Sequence, residues 1–532
     1  MLCKRNLLRA AKIAAGVLLA VLLSVIFIYS SKVPRDLAIA SVTVDTTQMF
    51  LGDNLEGKIR FGVTYYNKKG EVLNGYVSPR DIKLYSTGGV VDGLEVTDTE
   101  SDSITVYCTV DGIKSNELTV TRVFSSNLPI MVFTPKGNLG ENSYATIKVY
   151  DNGSYNTLDD ECDTYSVKYS KRGKWSTVFP KPQYNIKLVD EKNQEISAAL
   201  LGMTAGSDFV MNNPYADKSL IRNYLAYNLG EQILEASLES RLCEVWIDRN
   251  GNGELVENEY FGVYLICEKI TRKNVGVVKN EGYIVARDKV DADDVYFTLP
   301  SDIYRKYHGL VYPFAHRVKY PTESKITKSQ LKDIQEEITD LHNMITAEPI
   351  TETAYKDLID IESYIDALLI NEVMKNADGF FFSTYFYKEN AESKLKSGPV
   401  WDFDLSAGNL NRETGALSKP EGFYMLETEW TVQMLKDPEF KAALRSRYAE
   451  LREGALSDEN IIGIIDGAVE LLCEGGAVER NFDRFPELMD GRYKEIIGDF
   501  FVETKSYEEE ISLMKSFLIN RLEWLDREIP NI

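Results

Sequence analysis

Gly398-Pro399-Val400-Trp401-Asp402-Phe403-Asp404-Leu405 follows Asn376-Ala377-Asp378-Gly379 across a short stretch of chain, and together they place several carboxylates near segment ends. Upstream, Ile361, Tyr364, Ile365, Leu368 and Leu369 recur at helical spacing, which predicts a helix over about 360–374 with Asp378 just past its end. Thr384-Tyr385-Phe386-Tyr387 and Pro399-Val400-Trp401 read as two short strands joined by the polar loop 388–393. Such a hairpin carries Asp402 back toward Asp378. That layout suits a divalent metal and the orientation of a hydroxyl, although Asp at strand ends and turns is also common for local reasons.

Phosphoryl transfer asks for a Lys on the phosphates, carboxylates on magnesium and an Asp beside the attacking oxygen. Five segments in order bear on that chemistry: Arg172-Gly173-Lys174-Trp175-Ser176, Phe179–Leu188 with its Tyr184-Asn185-Ile186-Lys187 core, Tyr260–Ile270, Asn376-Ala377-Asp378 and Trp401-Asp402-Phe403-Asp404. Their order resembles the CotH kinase family, named for a spore coat protein and built on an atypical protein-kinase fold. The likeness covers roughly residues 128–530.

The resemblance implies ATP and Mg2+ as cofactors. It implies Asp378 as the residue that orients the acceptor hydroxyl, and Asp402, with Asp404, as magnesium ligands. It gives Lys187 as the nucleotide lysine and Lys181 as a second cation for the phosphates. Arg172-Gly173 falls at the turn near the phosphates, although the family continues there with Asn and Ser where this chain has Lys174 and Trp175. Glu268 falls where a strand leads into the nucleotide hinge. Glu231, on a helix expected over 218–234 with Asp217 as N-cap, is a candidate partner for the nucleotide lysine. Ser383 stands five residues after Asp378, where kinase-like loops commonly carry a metal-binding Asn. Serine is the poorer ligand, so an active enzyme and a pseudokinase both stay open, with Asn409 as a compensating oxygen or a turn cap.

Asp248, Asn250, Asn252 and Glu259 match the spacing of a calcium loop. Their flanks read as strands rather than helices, so Ca2+ binding competes with a hairpin whose Asn-Gly pairs supply positive φ.

At 532 residues the chain has room for two or three domains. Residues 1–36 form a basic stub and an apolar run. Lys4, Arg5, Arg9 and Lys12 precede an uncharged stretch over 13–31, long enough to cross a bilayer. Basic residues ahead of it keep that end inside and send the rest out; a cleaved signal peptide is the rival. Localisation at the cell membrane, single-pass, with the bulk of the chain extracytoplasmic, is the expectation. Residues 37–125 alternate in short runs such as Ser103–Tyr107 and Glu117–Thr121, predicting an immunoglobulin-like β-sandwich. Residues 126–532 form the larger domain, which closes on a capping box, Ser506-Tyr507-Glu508-Glu509, before a helix with a buried Ile511, Met514, Leu518, Leu522 and Leu525 face. The fold class expected is thus α+β, with an atypical two-lobed kinase-like domain after the sandwich and a transmembrane helix.

Sixty basic against 82 acidic residues, a net charge of −22, argue against nucleic acid as a partner. They favour a basic protein substrate, and the resemblance implies Ser-rich, basic coat-like proteins as the class of target. A second functional class, a surface-binding or adhesion protein on a kinase-like scaffold, follows from the Ser383 departure and from the scarcity of ATP outside a cell. Beyond Cys3, five cysteines show no metal-type spacing, and no His stands near a nucleophile motif.

Overall fold

The computed structural model describes residues 36–50, 58–74, 77–97, 103–121, 124–137, 143–153, 155–158, 160–173, 175–253, 255–299, 305–307, 310–312, 314–348, 350, 354–410, 417–492 and 502–532. The N-terminal run expected to cross a membrane, residues 1–35, lies outside them. Among the described residues no helix is long and apolar enough to cross a membrane. The chain divides into two compact units, Met1–Phe124 and Ser125–Ile532.

In the first unit, strand alternation places one face of each of two sheets on a common core. One sheet runs Ser41–Phe50, Lys58–Tyr66, Glu95–Thr97, Val90–Asp92. The other joins Ile82–Ser86, Ser103–Val110 and Ile113–Lys114, with Leu118–Thr121 also on Ser103–Val110. Val42, Val44, Ile59 and Phe61 of the first sheet meet Leu84, Ile104, Val106 and Cys108 of the second.

The second unit begins with seven strands closed into a barrel: β1 (Ile130–Pro135), β2 (Ser143–Tyr150), β3 (Asp163–Arg172), β4 (Gln183–Val189), β5 (Asp208–Asn212), β6 (Ser240–Ile247) and β7 (Tyr260–Glu268). Neighbours are antiparallel except β1 and β6, whose parallel pairing closes the ring in the order β1-β2-β3-β4-β5-β7-β6. Tyr184, Ile186 and Leu188 of β4 point into the barrel, so period-2 alternation turns Asn185 and Lys187 outward. All of β7 is buried, because its two faces serve different cores. Phe261, Tyr264 and Ile266 line the barrel, while Val263, Leu265 and Cys267 pack on the helical core. The same division separates Cys243 from Cys267, and both are free thiols.

Helix α1 (Arg222–Ile233) lies against this barrel wall and beside helix α2 (Ile361–Met374). It starts four residues later than the sequence suggested. Asp217 does not cap it directly but folds the approach, accepting hydrogen bonds from the Ser219 N–H and hydroxyl, the Arg222 N–H and the Arg222 guanidinium. Helix α2 occupies the expected range, with the Asp360 carboxylate accepting from Ser363 N–H at its start. A second sheet contains β8 (Tyr283–Lys289), β9 (Phe314–Tyr320), β10 (Thr384–Lys388) and β11 (Lys396–Ser397), in the order β9-β8-β10-β11. The expected strand Pro399–Trp401 is instead irregular: the ladder ends at Gly398 N–H on Tyr385 O. Pro399 has no N–H to continue it.

Helix α3 (Ala477–Arg484) and the long helix α4 (Tyr507–Glu528) complete the core, α4 capped by Ser506 as the sequence indicates. Arg521 of α4 and Glu372 of α2 form a fully buried ion pair. Arg521 also donates to the carbonyls of Glu372, Pro420 and Gly422, and Glu372 accepts from Tyr424 and Leu426 N–H. Such saturation is what makes a buried pair tolerable, and cutting it leaves an uncompensated charge. Arg521→Ala should therefore cost about 3–5 kcal/mol in urea unfolding; a loss below ~1 kcal/mol contradicts the pairing.

Candidate functional site

The turn after α2 ends the helix with Lys375 in the left-handed conformation, φ 47°. The two acidic loops then run side by side. Ala377 N–H donates to Leu405 O at 3.0 Å, and Ala407 N–H to Met374 O at 2.6 Å. Asn376 joins them a second time, its Oδ1 accepting from Asp378 N–H at 3.2 Å and its Nδ2 donating to Asp402 O at 3.3 Å. Ser383 makes the third link: its hydroxyl donates to Asp402 Oδ2 at 3.0 Å. Asp378 and Asp402, distant in sequence, thus belong to one cross-linked pair of loops. Phe380, Ser383 and Asp402 all have positive φ, 59°, 52° and 66°, conformations that L-residues adopt only where surroundings impose them.

Helix α1 fixes the acidic loop from the other side. The amide of Asn223 accepts from Phe403 N–H at 2.7 Å and donates to Asp404 Oδ1 at 2.8 Å. Arg222 donates to the carbonyls of Ser406 and Ala407 and to Glu510 of α4. Tyr227, one turn on, stacks on Trp401 with ring centroids 5.9 Å apart. Burial holds the Asp404 carboxyl well above the usual carboxylate range; Asp402 and Asp217 add to this and Arg222 and Arg172 oppose it. Two repelling carboxyls at one loop are a site that a cation relieves.

Cations lie in the same neighbourhood. The Arg172 guanidinium, at the end of β3, sits 4.9 Å over the Trp401 ring. Gly173 follows at φ 99°, where an added Cβ meets Ser176 Oγ, so the turn requires glycine. Lys269, just past β7, is pushed down by burial, against the pull of Asp208 and with Arg172, Lys187 and Arg317 adding to the effect. Lys319 of β9 is pushed down to about 8, by burial first and then by Arg317; Asp288 and Asp294 oppose and Arg172 assists. Tyr385 of β10 lies between Asp288, Arg172, Arg317 and Asp402, its phenol raised chiefly by burial.

The other residues singled out from sequence fall elsewhere. Lys187 lies on the outer face of β4, its ammonium held by Glu195 at 3.1 Å and Asp208 at 2.9 Å. Glu231 is exposed, and its charged surroundings are Arg241, Glu239 and Glu268. Lys181 is 1% exposed, donating to Val263 O and to Asn481 Oδ1 of α3; it ties barrel to helix rather than meeting phosphate. Glu268 accepts from Glu239 N–H. The Nδ2 of Asn409 donates to Ala216 O and Asp404 O, a loop clasp. In the calcium-spaced loop, Asp248 accepts from Gly251 and Gly253 N–H, and Glu259 from Arg249 and Val256 N–H. Those carboxylates hold a strand-to-strand turn together, the hairpin that competes with Ca2+ binding at Asp248, Asn250, Asn252 and Glu259. Lys269 and Lys319 went unnoticed in sequence; the signal for Lys269 was its place beside Glu268 in the Tyr260–Ile270 segment.

No group of three or more His, Cys, Asp or Glu among the described residues could hold a metal alone. Magnesium does not require one, since it binds through one or two carboxylates plus phosphate oxygens; Asp402 and Asp404 on one loop fit that mode.

An acidic loop tied to a second carboxylate turn is a layout that suits a divalent ion with a phosphorylated ligand. The family model described as CotH kinase protein matches residues 170–525, and the chain belongs to that family. No curated protein matches the chain.

Asn223→Ala should cost about 1–3 kcal/mol in urea unfolding, because it removes both partners of the acidic loop; an unchanged midpoint contradicts the clamp. Asp248→Ala should cost a similar ~1–3 kcal/mol, by the same amount in calcium and in chelator, whereas a calcium-dependent cost restores the calcium reading.

Proposed function

We propose that this CotH kinase family member is a membrane-anchored, outward-facing phosphotransferase that moves a phosphoryl group from ATP to Ser or Thr of a secreted or surface protein. The observation that supports it most is the cross-linked pair of loops, in which Asn376 and Ser383 tie the Asp378 turn to Asp402. Asp378 orients the acceptor hydroxyl and receives its proton. Asp402 and Asp404 would hold magnesium, which supplies neutralisation of phosphate charge. Asn223 keeps Asp404 in place for that task.

Membrane attachment rests on the basic residues ahead of the apolar run over 13–31. The two-sheet unit serves as an immunoglobulin-like spacer, and the net charge of −22 favours a basic acceptor. A second reading, a pseudokinase serving as a surface-binding protein, is favoured by Ser383, which takes the expected place of a metal-binding Asn and donates to Asp402 Oδ2.

Asp378→Asn and Asp402→Asn should each lower transfer to a basic Ser-rich peptide by ~10²–10⁴-fold with melting behaviour retained. Full activity in both ends the assignment of these roles to Asp378 and Asp402. Nucleotide-independent binding of the unmodified protein to wall polymers, without transfer, supports the pseudokinase.

A further inference from the structure

Where the barrel meets α3, a lysine and an asparagine 300 residues apart in sequence lie in direct contact. Lys181, in the loop before β4, and Asn481, in α3, are 1% and 0% exposed. The Lys181 Nζ donates to Asn481 Oδ1 at 2.9 Å and to Val263 O. The same Oδ1 accepts from Val263 N–H at 3.1 Å, so two donors polarise the amide. Its Nδ2 is buried and has no hydrogen-bond partner among the described residues. Gly262, at φ 76°, keeps the approach open: a Cβ there would stand 3.2 Å from Asn481 Cγ and 3.3 Å from Lys181 Nζ.

A hydrogen-bonded clasp leaves two unfavourable terms standing, an ammonium far from water and an amide N–H2 with nothing to donate to. Burial pushes Lys181 well below the usual lysine range, with Glu244 opposing, and a neutral lysine amine is a nucleophile. The rings of Tyr264 and Phe485 lie 4.9 and 5.3 Å from its Nζ. Glu244 of β6 is fully buried directly opposite Val263 of β7, where it accepts from Tyr260 and Arg480. Groups fixed in contact in this way react with effective concentrations of up to about 10⁵–10⁸ M.

We propose that Lys181 and Asn481 react with each other to form an intramolecular isopeptide bond, Nζ to Cγ, with release of ammonia. The neutral Nζ attacks Cγ, and the charge that develops on Oδ1 is met by Val263 N–H. One Nζ proton passes by way of the Glu244 carboxylate to Nδ2. The Cγ–Nδ2 bond then breaks and ammonia leaves, so an amine and a primary amide become a secondary amide and ammonia, with no change of oxidation state and no outside reagent. The product locks the barrel covalently to α3, and both unfavourable terms disappear with it. Nothing in this step depends on phosphoryl transfer.

The test is mass spectrometry of the full chain, purified in detergent and then denatured, so that its reading does not require any variant to fold. The chain should be about 17 Da lighter than its sequence, the mass of the ammonia lost when the lysine amine displaces it. A succinimide at some other Asn gives the same loss, so a protease digest is fragmented to locate the bond. A branched peptide joining the segments around Lys181 and Asn481 is the expected result. Lys181→Met and Asn481→Ala should each restore the full mass, and Glu244→Gln should leave most chains unlinked. A chain of full mass, a loss mapped to another Asn, or the same loss in Lys181→Met overturns the bond. Complete linkage in Glu244→Gln overturns the proton route through that carboxylate.

Discussion

The buried guanidinium of Arg222 is the tie on which the site depends. At 2% exposure it donates to Asp217 and Glu510 and to the carbonyls of Ser406 and Ala407. A charge in that place persists only when its donors are satisfied, so the turn before α1, the acidic loop and α4 must all arrive together. Asn223, the next residue, then has no freedom of register, and its amide meets Phe403 and Asp404. The position of the carboxylates follows from a structural ion cluster rather than from the hairpin near them in sequence.

The last helix braces the site twice. Glu510 near its start completes the Arg222 cluster, and Arg521 pairs with Glu372 where α2 turns into the Asp378 loop. A similar device joins the barrel to α3, where Arg480 grips Glu244 of β6 and Lys181 meets Asn481. Rigid support of this kind is needed because Phe380, Ser383 and Asp402 sit at positive φ, at a cost of roughly 1–3 kcal/mol each. Such strain survives only where neighbours over-determine the backbone.

Much of the local structure was legible in the sequence. Helical spacing located α2, and a capping box located α4. The family resemblance drew Asp378, Asp402 and Arg172 into one neighbourhood, which the structure also brings together. Least legible was whatever depends on non-local pairing. Lys187 carries the right local pattern, but strand alternation turns it outward to Glu195 and Asp208. Lys181, expected as a second cation for the phosphates, is covered by α3, which is remote in sequence. The Asp248 loop has calcium spacing, yet two flanking strands turn its carboxylates onto backbone amides. Lys319 had no local signal, because only the β8–β9 pairing brings it toward Arg172.

The central claim is that the loop bearing Asp402 and Asp404, held by Asn223 and tied to the Asp378 turn, holds one divalent ion. Anomalous diffraction from crystals soaked with manganese and a non-hydrolysable ATP analogue tests it most directly. The account predicts a manganese peak in contact with Asp402 and Asp404. Manganese bound away from Asp402 and Asp404 contradicts it.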